Sequence, residues 1–70
     1  MVDKNMCISL CEEKIGHMER LGRENVNVIY FEYQRAFTVG YITAFLESGI
    51  FDTKLNNKLL DKLDAVTHGN

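Results

Sequence analysis

Proline and tryptophan are absent from this 70-residue chain, and only two cysteines and five glycines occur in it. Without proline nothing forces a kink or stops a helix outright, so punctuation falls to glycine and to polar caps. Two cysteines allow one disulfide at most, where a small secreted scaffold normally carries two to four. Cys7 and Cys11 stand four apart, on one side of a helix, a poor geometry for a local bridge. A basic excess is missing too, because eight Lys and Arg against ten Asp and Glu leave a net charge of −2. Bulk electrostatics therefore give no support to a nucleic-acid or anionic-membrane surface. The longest uncharged run, residues 36–46, is eleven residues long, against the roughly 20 that a membrane-spanning helix needs. Met1-Val2-Asp3-Lys4-Asn5 holds no basic run leading into a long apolar core, so it does not read as a signal peptide. Together these absences point to the cytoplasm.

What is present is apolar surface. Hydrophobic residues make up 46% of the chain and charged residues 26%, a balance that argues against disorder. The length suits one domain spanning residues 1–70, and such a domain buries only about 60% of its unfolded surface. No internal repeat or low-complexity stretch divides it.

Gly22 and Gly49 are the natural breaks, each closing a periodic run where a left-handed cap residue is wanted. They separate three helical segments, about residues 6–21, 26–48 and 53–66. The first places Cys7, Ile8, Cys11, Ile15, Met18 and Leu21 on one face, with Ser9, Glu12, Glu13, Glu19 and Arg20 opposite. Asp3 or Asn5 can cap it; Ser9 with Glu12 also has the capping-box form, which would shorten it by a turn. The third lines up Leu55, Leu59, Leu60, Leu63 and Val66, and Asp52 is its candidate N-cap.

The second segment is apolar on two sides. One carries Val26, Tyr30, Tyr33, Phe37, Tyr41 and Ala44; the other carries Val28, Phe31, Val39, Ile42 and Leu46. A helix apolar on two faces is expected to be buried, so the second segment is expected in the middle with the others packed on it. Residues 26–33 also have the β-branched and aromatic content of a strand. A lone strand cannot satisfy its ladder bonds, and no second strand run exists, so helix is the reading adopted. The fold expected is all-α: a three-helix domain with a long central apolar and aromatic helix.

All seven aromatic residues fall between Tyr30 and Phe51. Beside them Ala36, Gly40 and Ala44 form a small-residue stripe, a spacing that lets another helix approach closely. Gly40 inside a helix costs about 1 kcal/mol relative to alanine, which calls for a packing reason. Either another segment of the monomer fills this groove, or the stripe meets a second copy or another protein. Two short amphipathic helices can hardly cover both faces of such a helix, and association is a standard remedy for a small core. A homodimer is expected, with Tyr33, Phe37, Gly40, Tyr41 and Ala44 at the partner or dimer interface.

Chemistry is harder to find. There is no Gly-rich phosphate loop, no His-Glu-x-x-His and no nucleophile elbow. Glu12 and Glu13 are adjacent and diverge on a helix. Glu32 and Arg35, three apart, could form an ion pair on the second helix. Cys7 and Cys11 with His17 and His68 could suggest zinc, but a structural site needs four ligands in closer-spaced pairs, and both thiols lie on an apolar face. His17 reads as a solvated edge residue. No catalytic role, metal or cofactor is expected. The second and third segments could also be read as a helix-turn-helix, with Lys54, Lys58 and Lys62 as a basic row. Asp61 and Asp64 interrupt that row, and the segment has no arginine, the commonest base reader.

Residues 37–63 resemble in texture short proteins of Gram-positive bacteria and their phages, a likeness that carries no functional residue across. The function expected is protein–protein interaction with a larger protein: an adaptor, or an inhibitor of a larger enzyme or complex, as a bacterial accessory or phage-encoded antagonist would be. The alternatives are a small helix-turn-helix-like DNA regulator and a metal-thiolate protein.

Overall fold

Each helix begins where a short polar side chain can satisfy backbone N–H groups that have no partner within the helix. A computed structural model describes residues 3–68, the side chain of residue 68 excepted. In it Asp3 caps α1 (Lys4–Arg23), its carboxylate accepting from the Asn5 N–H at 3.0 Å. Asn27 caps α2 (Val28–Glu47), accepting from the Ile29 and Tyr30 N–H groups at 2.8 and 3.3 Å. Asp52 caps α3 (Thr53–His68), accepting from the Leu55 N–H at 2.8 Å. The Asp3 cap settles the start of α1, and the capping-box form at Ser9 lies inside that helix. The strand alternative for residues 26–33 gives way to Asn27 and the first turns of α2.

The two breaks differ from each other. Gly49 has φ +86°, the left-handed conformation that glycine adopts without strain. There the N–H groups of Ile50 and Phe51 both donate to the Phe45 carbonyl at 3.0 Å, reversing the chain within a few residues. Gly22, however, lies within α1, which runs on to Arg23. The left-handed residue of that link is Asn25, at φ 55°, because asparagine also tolerates this region. Gly49→Ala is expected to cost about 1 kcal/mol through backbone strain alone. Beyond its two chain neighbours no atom among the described residues lies within 4 Å of the added methyl, so a lowered urea midpoint reports that strain.

The three helices all pack on one another, and the core contradicts one expectation. α1, not α2, supplies most of it: Cys7, Cys11, Ile15, Met18 and Leu21 are buried. Phe51, Leu59 and Leu63 close it from the α3 side. α2 contributes only Thr38 and Ile42 as fully buried residues. The reason is geometric. A helix with two neighbours buries one stripe, so extra apolar surface on a helix in a three-helix bundle has nowhere inside to go. Of the two α2 faces, the one bearing Ile42 turns inward, with Phe31 and Val39 half-buried against the core. Val28, assigned to that same face, is 69% exposed because it sits at the first turn, beyond the reach of the core.

Ion pairs link the helices at their edges. The Arg35 guanidinium donates to Asp64 at 3.1 Å and the Lys62 ammonium to Glu12 at 3.1 Å. The first of these corrects the expected Glu32–Arg35 pair: Arg35 lies on the inward half of α2 and reaches α3, while Glu32 points to solvent. Half-exposed pairs of this kind contribute about 0–1 kcal/mol each.

Candidate functional site

At 100° per residue Ile29, Tyr33, Phe37, Gly40 and Ala44 fall within an arc of about 80° on α2. That arc points away from α1 and α3. Ile29 is 77% exposed, Tyr33 69% and Phe37 53%, and Gly40 and Ala44 are exposed between them. Tyr30 flanks the arc and is close to half exposed. The molecule measures 37 × 19 × 16 Å, and a 20-residue helix is about 30 Å long. The outer face of α2 is therefore an apolar strip along nearly the whole long axis. Between Glu32 and Glu47 it carries no charge, since Arg35, the one charged residue in that interval, faces Asp64.

Gly40 lies open on this strip. Apart from its chain neighbours and the local backbone of α2, a Cβ built there meets no atom within 4 Å among the described residues. The groove beside the small-residue stripe is thus not filled by α1 or α3, and the backbone of Gly40 is ordinary helix. Neither packing nor conformation within the monomer asks for glycine at this position.

Four of the five residues expected at an interface, Tyr33, Phe37, Gly40 and Ala44, are exposed on this one strip. Tyr41 is placed differently: it is half-buried on the flank that faces α1, its ring edge-on to Phe45 at 5.5 Å. Phe45 in turn packs on the buried Phe51 at 5.1 Å. The Lys14 ammonium sits 5.3 Å from the Tyr41 ring and 5.6 Å from that of Phe37, a cation–π arrangement that fixes one border of the strip. Ile29 is the residue that sequence reasoning missed. Its signal was available, four positions before Tyr33 on the same face.

The thiols belong to the interior. Cys7 and Cys11 are both free and buried, 1% and 0% exposed. Burial pushes the Cys11 thiol up from 9.0 to about 11, with Cys7 and Glu12 adding to the rise. No group of three or more His, Cys, Asp or Glu is placed to hold a metal among the described residues. His17 is exposed on α1, and the suggestion about the His68 side chain falls outside the described residues. A neutral thiol at physiological pH is a weak nucleophile, so native Cys11 is expected to resist alkylation that it undergoes once unfolded. Because the folded state holds this proton longer, the stability involved is complete below pH 9 and lost as pH rises towards 11. The difference in unfolding free energy between wild type and Cys11→Ala should shrink over that window, by about 2 kcal/mol.

Lys54, Lys58 and Lys62 are exposed on α3. Lys62 is paired with Glu12 across to α1, and Asp61 and Asp64 lie exposed on the same helix. Among the described residues no helix is long and apolar enough to cross a membrane. Set against family models, curated proteins and solved structures, the chain matches none.

Proposed function

We propose that this protein is a non-catalytic interaction protein that associates with other protein through the outer face of α2. The observation that carries the reading is the uncharged strip on which Ile29, Tyr33 and Phe37 are each more than half exposed. Small monomeric domains rarely leave a contiguous apolar strip in water, and such strips mark association sites. Tyrosine and phenylalanine are the residues enriched at such surfaces, and charge is depleted from their centres. Two free thiols buried in the core suit a reducing compartment, so the proposal places the protein in the cytoplasm. Within this class it acts as an adaptor or as an inhibitor of a larger enzyme or complex, in the manner of a bacterial accessory protein or a phage-encoded antagonist.

DNA binding is the weaker reading. Its only support is the α3 lysine row, which is broken by aspartates and tied at Lys62 to an acidic partner.

The test replaces Phe37 by the photo-cross-linking residue p-benzoylphenylalanine in the protein's own cell, with Asp61 replaced likewise as a control on exposed α3. Ultraviolet light should yield a discrete protein adduct at position 37, with a second copy or with another protein, and none at position 61. A chain that gives no adduct at position 37 is not an interaction protein of this kind.

A further inference from the structure

The outer strip of α2 is not uniform along its length. Its first half is bulky, with Ile29, Tyr33 and Phe37; its second half is small, with Gly40, Ala44 and Ser48. All six are exposed, and Ser48 ends the helix as its C-cap. Placed against a copy of itself running the opposite way, such a strip matches every bulky residue with a small one.

Resting on the association reading above, we propose that the occupant of this strip is a second copy of the chain. The two α2 helices pair antiparallel about a two-fold axis that passes between Phe37 and Gly40. Phe37 of each copy then lies on Gly40 of the other, Tyr33 on Ala44, and Ile29 on Ser48. One register satisfies all three pairs, since each pair is centred on the same point of the helix. A two-fold interface needs this reciprocity: if one residue meets another across it, the second must meet the first.

Parallel pairing fails on the same residues. It sets Tyr33 on Tyr33 and Phe37 on Phe37 at one end, and Gly40 on Gly40 at the other. Bulky side chains hold the axes apart where small ones leave a gap, and both overfilling and voids are unfavourable. Antiparallel pairing also opposes the two helix dipoles. Gly40 thereby acquires the reason that the monomer does not provide, because it receives the Phe37 ring of the second copy.

The area is sufficient. A whole aromatic side chain buries about 150–250 Å², and the exposed fractions run from 47% at Tyr30 to 77% at Ile29. With the small residues between them, the strip offers on the order of 600 Å² per copy. Two copies bury about 1,200 Å², the lower bound for specific stable interfaces. Between Glu32 and Glu47 α2 itself puts no charge on the strip; Lys14 of α1 borders it at Phe37, and Glu47, at the same angle as Ile29, lies at its far end. The dimer is accordingly expected to dissociate on dilution through the micromolar range.

The deciding experiment is light scattering on wild type and on chains mixed in pairs, with circular dichroism to verify helicity. Wild type should pass from twice the monomer mass to the monomer mass as it is diluted. Tyr33→Lys and Ala44→Glu change exposed residues and should fold. Each alone should weaken pairing about a hundredfold, by putting an unpaired charge into the contact twice. Mixed together they should form a heterodimer, because one crossing then holds Lys against Glu and the other keeps the original Tyr–Ala pair. Tyr33→Lys mixed with Tyr33→Glu should stay monomeric, since in this register position 33 never meets position 33. Pairing of that last mixture overturns the antiparallel register. A wild type that remains monomeric up to about 1 mM overturns self-pairing altogether. If position 37 still cross-links to a different protein, the association reading survives that loss; if it gives no adduct, both fall.

Discussion

Ile42→Ala is expected to lower the stability of the fold by about 3 kcal/mol, while Ile29→Ala on the same helix changes it by less than about 0.5 kcal/mol. Both substitutions remove the same atoms from the same residue type. They differ only in which side of α2 they occupy. Ile42 is fully buried among the residues that α1 and α3 contribute, so its truncation removes transfer free energy and leaves a cavity. Ile29 is 77% exposed, and alanine at that position gives up little contact within the monomer. A domain of this length has a total stability on the order of 5 kcal/mol. The Ile42 variant should therefore melt about 15 °C lower and unfold in very little urea. Measured at a concentration where the chain is monomeric, equal losses at the two positions would mean that the inward and outward faces of α2 are wrongly assigned.

Gly40→Leu should move two properties in opposite directions. In the monomer the new side chain enters open space, as no atom of the described residues beyond its chain neighbours and the local backbone of α2 lies within 4 Å of its Cβ. Leucine is the better helix former, so the monomer gains about 0.8 kcal/mol and its urea midpoint rises. In the pair the same side chain occupies the hollow that receives Phe37, once in each copy. Overfilling costs about 1–3 kcal/mol at each of the two contacts, enough to weaken the dimer about a hundredfold or more. Gly40→Ala should give a similar gain in the monomer with a smaller loss of pairing, since one methyl fills less of the hollow. A more stable chain that no longer associates would separate the role of Gly40 in folding from its role in contact. A less stable monomer would mean that this position is packed against its own fold.

Much of the fold was legible because its signals are local. The apolar stripes of α1 and α3 fall on a helical period, and each of them has one buried solution. Asp52 stands immediately before the α3 stripe with a side chain able to accept from the first turn, whereas for α1 the sequence left Asp3, Asn5 and Ser9 open and the structure chose Asp3. Gly49 was legible for the same reason, as its left-handed backbone is a property of a few consecutive residues. Gly22 misled because glycine permits a break without requiring one, and Asn25 could supply the left-handed residue just as well. Glu32 and Arg35 misled because spacing along a helix states which residues are close, not which way a long side chain leans. Arg35 had Asp64 within reach on another helix.

The candidate surface was half legible. Periodicity collected Tyr33, Phe37, Gly40 and Ala44 on one side of a helix, and that grouping holds. It could not say whether that side faces in or out, because α2 has an apolar alternative on its opposite side. Tyr41 shows the limit most clearly: on the wheel it borders the strip, and in the fold Lys14 and Phe45 claim it.

The sequence by itself therefore determined the number of helices, the Asp52 cap of α3 and the faces of α1 and α3, since these follow from backbone chemistry and from periodicity within one segment. The Asn27 cap of α2 and the choice of Asp3 for α1 came from the structure. Which face of α2 is left to the solvent was decided only by the tertiary structure. That choice depends on what α1 and α3 can cover together, and two neighbours can cover only one side of a helix. The side they leave uncovered is the side with Gly40 on it.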